Sequence, residues 1–242
     1  MAIISIRWAP DLKLMPRRID SHFPAAGPER AEDLLRRVTV LESELGQRDQ
    51  ETQRRFRNML AMVRAIIRQT GDDVDTLDDY RALIEGRIAS FTRVQSLLLS
   101  DHEAGIDLFT MVADEVLLAG LDARTVECRG ESVQLSAAAA GLFALLTHEL
   151  VQGTASSSMT ANQYPVAWID REISDREQGR FLCIHWHERF HRSSTGQERA
   201  AGDWIEDALT YELGAHIEHG EDEGGAVYSY VIPLETALAR ER

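Results

Sequence analysis

The stretch from Pro28 to Thr70 constrains this chain most, because after its first residue it contains no proline and only one glycine, Gly46. Proline fits the first turn of a helix and glycine fits the position just past its end, so Pro28 and Gly71 predict the limits of one long helix. Within it, Leu34, Val38, Leu41 and Leu45 step by 4, 3 and 4, as do Phe56, Leu60, Val63 and Ile67. That spacing lays apolar side chains along a seam suited to helix–helix packing. Upstream, Pro10, Pro16 and Pro24 rule out a comparable helix, and residues 1–29 read as an arm. A polar turn around Gly71–Thr76 leads to a second predicted helix, Asp78–Leu99, with Tyr80, Ile84, Ile88, Phe91, Val94 and Leu98 on one side. Residues 30–100 thus form a helical hairpin with one apolar stripe per helix. Two such hairpins could bury their stripes in a dimeric four-helix bundle; alternatively, the stripes pack on the downstream domain.

After Ser100 the pattern changes to mixed helix and strand. Helices are predicted at Asp107–Ala119, from Ala137 to about Val151, and at Trp204–Leu213. Strands are predicted at Thr125–Cys128, Val133–Leu135, Val166–Ile173, Phe181–His187 and Ala226–Pro233. The fold class is therefore α+β, a helical hairpin followed by an α/β sandwich over residues 101–242.

Charge divides the chain at the same place. Residues 1–100 carry 16 Lys and Arg against 15 Asp and Glu, whereas residues 101–242 carry 10 against 25. So acidic a second half repels phosphate backbones, which argues against nucleic acid as a partner. It also opposes a nucleotide triphosphate unless a dedicated site overcomes the field. No run of about 18 apolar residues predicts a membrane span, and the first residues lack the pattern of a signal peptide. Two cysteines, Cys128 and Cys183, form no disulfide framework. A reducing, cytoplasmic setting is the expectation.

Four short motifs point to a family. Arg54-Arg55-Phe56-Arg57-Asn58-Met59-Leu60 resembles the phosphoacceptor helix of the HWE sensor histidine kinases, whose pattern is His-Arg-x-Lys/Arg-Asn-x-Leu. The second helix resembles its family counterpart along its length. Leu146-Thr147-His148-Glu149-Leu150 is similar to the opening of the family's nucleotide-binding helix, and Trp186-His187-Glu188 to its Trp-x-Glu strand. Together they cover about residues 30–234. The resemblance implies a dimerisation and phosphotransfer hairpin followed by an ATPase-like domain.

The departures from that pattern bear on function. Arg54 stands where the family has its phosphoacceptor histidine. A guanidinium stays protonated and has no lone pair to attack phosphorus, and none of the eight histidines lies between residues 30 and 70. Gly153 stands where the resemblance implies a magnesium-holding Asn, and glycine offers no side-chain oxygen. Ser156 replaces a Lys. The glycine-rich phosphate loops are replaced by Arg189-Phe190-His191-Arg192 and Arg199-Ala200-Ala201. His148, Glu149, Gly153, Trp186 and Glu188 therefore read as a degenerate nucleotide site, with no cofactor expected.

Two other motifs have rival readings. His187-Glu188-Arg189-Phe190-His191 fits the zinc-protease pattern, but that pattern needs a helix and these residues follow a predicted strand; no metal is expected. Arg54, Arg55, Arg57, Asn58 and Arg64 form either a solvated basic run or a docking surface for an acidic partner such as a response-regulator receiver domain. Asn58 could also orient a water against a phosphoaspartate. The expectation is a catalytically inactive, homodimeric kinase-like protein that binds a response regulator or a histidine kinase and modulates a phosphorelay. The alternatives are a histidine-phosphotransferase-like relay protein and a regulator phosphatase.

Overall fold

A computed structural model of the chain describes residues 28–72, 76–100, 105–158, 165–189, 203–222 and 225–239. The arm expected over residues 1–29 lies almost wholly outside them, as do Phe190-His191-Arg192 and Arg199-Ala200-Ala201. The first helix, α1, spans Pro28–Asp72 and the second, α2, Leu77–Ser100. There follow β1 (Ile106–Asp107), α3 (Leu108–Leu118), β2 (Val126–Arg129), β3 (Gln134–Leu135) and α4 (Ala137–Ser158). The chain continues through β4 (Ala167–Arg176), β5 (Gly179–Arg189), α5 (Asp203–Leu213), β6 (His216–Asp222), β7 (Gly225–Pro233) and α6 (Leu234–Ala237). Helices lead and a mixed sheet follows, which is the predicted fold class. The short β1 and the whole of β6 were not predicted, and α4 runs seven residues past its predicted end.

The five-stranded sheet has the order β2-β4-β5-β7-β6. Only β2 and β4 run parallel; every other pair is antiparallel. Strand side chains alternate between faces, and register lines up one apolar face from Ile169 opposite Trp186, Trp186 opposite Tyr228, Ile184 opposite Tyr230 and Leu182 opposite Ile232. Helix α4 lies on this face, with Phe143 meeting Tyr230 edge-on at 6.4 Å. These residues form one core with Leu108, Val112 and Val116 of α3 and Ile205, Leu209 and Leu213 of α5.

The chain divides into two compact units, residues 1–58 and 59–242. In the first, the described helix is exposed throughout, including Leu34, Val38, Leu41, Leu45 and Phe56. In the second, residues from the last part of α1 and from α2 share the core of the sandwich. Phe91, Val94 and Leu98 are buried in that core, with Ile84 and Ile88 partly buried against it. The α2 stripe is therefore covered within one chain, as in the second of the two packings expected for it. On α1 the buried edge is offset from the expected seam. Ile66 is fully buried, and Met59, Met62 and Val63 pack against the core, whereas Leu60 and Ile67 stay exposed.

Candidate functional site

The five residues of the expected nucleotide site separate into two groups. His148 and Glu149 leave α4 toward the hairpin. His148 Nδ1 lies 3.2 Å from Oε2 of Glu115 on α3. The other oxygen of Glu115 is 2.7 Å from Ser90 Oγ and 2.5 Å from Arg93 Nη1, both on α2. Burial alone would raise this carboxyl, but the hydrogen bonds from His148, Ser90 and Arg93 outweigh it and hold the pKa at about 2. Glu149 accepts from Arg87 of α2 at 2.7 Å, and Arg87 also donates to Thr70 at the end of α1, 2.9 Å away.

The second group faces the sheet. Trp186 Nε1 donates to Glu188 Oε1 at 3.1 Å, and Thr154 Oγ1 donates to the same oxygen at 3.1 Å. Thr154 directly follows Gly153, which is itself buried on α4. All three side chains of this knot are buried, so the carboxylate is satisfied inside the domain.

The rival zinc motif falls on a strand as far as Arg189. His187 points to the face opposite Trp186 and Glu188, stacked on Trp168 at 4.7 Å with its Nε2 3.1 Å from Asp170 Oδ2. His185, on the same face, meets Ser229 Oγ at 2.9 Å. Arg129 and Arg189 lie over the Trp168 ring. His191 is outside the described residues, and among the described ones no cluster of three metal-ligating side chains occurs.

Of the α1 residues singled out, Arg54, Arg57, Asn58 and Arg64 are exposed. Arg57 Nε reaches the carbonyl of Gln53, one turn earlier, at 3.4 Å. The Arg55 side chain lies outside what is described.

The family profile of the HWE histidine kinase matches residues 51–132. That segment runs from the arginines of α1 through α2 and α3, in the order the motifs require. The likeness to the HWE histidine kinases extends over residues 51–132. Its fold resembles the histidine kinase domain of the blue-light activated kinase EL346 of Erythrobacter litoralis, at 16% identity and a TM-score of 0.43 over 71% of this chain and 96% of that one. A longer structure of the same kinase aligns at 14% identity and 0.49, over 75% of this chain and 59% of that one. The Acinetobacter baumannii histidine kinase AdeS aligns at 10% and 0.34, over 74% and 96%. No curated protein matches in sequence. No described helix is long and apolar enough to cross a membrane.

Sequence reasoning missed Arg87, Ser90, Arg93, Glu115 and Thr154. Arg87 falls three residues after Ile84 and four before Phe91, inside the apolar stripe of α2; Glu115 falls four residues after Met111 and three after Val112 in α3. A charged residue at a stripe position requires a partner, which is Glu149 for Arg87 and Arg93 with His148 for Glu115.

Proposed function

We propose that this HWE-type relative is a non-catalytic member of a two-component system, docking an acidic receiver domain on α1 without transferring phosphate. The observation that carries the reading is Arg54, which the resemblance of the motif Arg54–Leu60 sets against the phosphoacceptor histidine and which lies inside the segment that matches the family model. A side chain with five donors and no free lone pair cannot become a phosphohistidine, but it binds carboxylate and phosphoryl oxygens well. Its neighbours extend the same chemistry, since Arg57 and Arg64 are also exposed on α1. The engagement of His148 and Glu149 with α2 and α3 supports the reading further, because it occupies both residues in interhelical contacts. A second copy of the chain completes the assembly through the exposed seam of α1.

The test is a binding assay with response regulators of the native host, against wild type and an Arg54→Glu, Arg57→Glu double variant. Wild-type affinity should weaken as salt rises, because exposed charges are screened over about 8 Å at physiological ionic strength. The double variant should lose binding while keeping its fold, since both positions are exposed. Unchanged binding would reduce the arginine run to solvated surface. Phosphate accepted by wild type from a phosphorylated regulator would favour the relay alternative.

A further inference from the structure

We propose that a pair of buried polar knots forms a built-in clamp, in which His148 and Glu149 of α4 are the catches that hold α2 in one register. At the first knot Glu115, 3% exposed, joins three helices: its own α3, α2 through Ser90 and Arg93, and α4 through His148. Ser90 Oγ also lies 2.8 Å from the Ala144 carbonyl of α4. At the second knot Arg87, equally buried, joins α2 to Glu149 of α4 and to Thr70 of α1, and its guanidinium lies 5.9 Å from the ring centre of Trp204 in the first turn of α5. Between the knots the backbones close in. A Cβ added at Gly86 would come within 2.8 Å of His148 Nε2, so only glycine fits there without displacing the ring.

Apolar stripes alone permit a helix to slide or rotate at modest cost, because dispersion contacts are not directional. A buried charge without its partner is far more costly, so each knot is satisfied in one arrangement only. The clamp therefore joins residues 59–100 to the sandwich as one cooperative body and couples the start of α5 to the hairpin through Arg87. It does not depend on the docking reading, because it concerns contacts within one chain.

Native-state hydrogen exchange on the full chain tests it. In wild type, α2 amides should exchange with the same denaturant dependence as those of α4, as parts of one unfolding unit do. Arg87→Met leaves Glu149 without this partner and should speed exchange of α2 by on the order of a hundredfold, with β5 and β7 changing by less than about tenfold. Adding Glu149→Leu, which removes the carboxylate that Arg87 bonds, should reverse much of that. Gly86→Ala should also loosen α2 selectively. Wild-type α2 opening independently of α4, or Arg87→Met loosening strands and α2 alike, would overturn the clamp. If Arg87→Met does not fold, the wild-type profile and Gly86→Ala still decide.

Discussion

Trp186 and Glu188, two residues apart on β5, are bonded to each other: the indole N–H donates to the carboxylate at 3.1 Å. Residues i and i+2 of a strand share a face, so both point inward, where Thr154 of α4 donates to the same oxygen. Glu188→Ala would leave a buried indole N–H without this acceptor, while the Thr154 hydroxyl keeps the Leu150 carbonyl at 3.0 Å. The expected loss is about 2 kcal/mol of unfolding free energy by urea titration. Glu188→Gln keeps an acceptor oxygen and should lose less. A loss under about 0.5 kcal/mol for the alanine variant, the range of neutral surface changes, would contradict the knot.

Acid should act through Glu115. Its folded pKa of about 2 lies below the value of about 4.3 for an unfolded chain. A group with the lower pKa when folded contributes its full stabilisation above the unfolded value and loses it as pH falls toward the folded one. Stability from this source should be constant above about pH 5 and decline between about 4.3 and 2, by on the order of 3 kcal/mol. Glu115→Gln should be less stable at pH 7 and show a shallower acid limb. Parallel acid limbs for wild type and variant would rule out this role.

Dimerisation should depend on the exposed α1 seam rather than on α2. Leu34, Val38, Leu41 and Leu45 repeat at helix–helix spacing and are exposed in the single chain, whereas Phe91 of α2 is buried. Light scattering should give twice the 27.2 kDa chain mass. Leu41→Asp should yield monomers whose residues 59–242 unfold as before; a wild-type monomer at high micromolar concentration would refute it.

ATP with Mg²⁺ should give no saturable heat in calorimetry. Gly153 supplies no metal ligand, and residues 101–242 carry 25 acidic against 10 basic side chains. A dissociation constant below about 0.1 mM, equivalent to about 5.5 kcal/mol, would contradict this.

Much of the fold was legible because it follows from local rules. Pro28 begins α1, as a residue with a fixed φ and no N–H can do at a helix start, and Gly214, at φ 70°, follows the end of α5. β6 was missed because His216-Ile217-Glu218-His219-Gly220 carries one apolar residue among polar ones. It is an edge strand, paired along one side with β7, so hydrogen bonding to its neighbour makes it a strand where burial does not.

The candidate site divides along the same line. The sequence by itself determined that Arg54 offers no lone pair and Gly153 no side-chain oxygen in any conformation, and the proposed function rests on that chemistry. What Arg87 and Glu115 bind was decided only by tertiary structure. Glu149 is 62 positions from Arg87 and His148 is 33 from Glu115, and no periodicity within one helix encodes which face of another it meets. Nor could the repeat on α1 distinguish a seam through Leu60 and Ile67 from one through Met59, Met62 and Ile66. A 3.6-residue helix brings both close to the same side, and the approach of the sandwich core determined which one was buried.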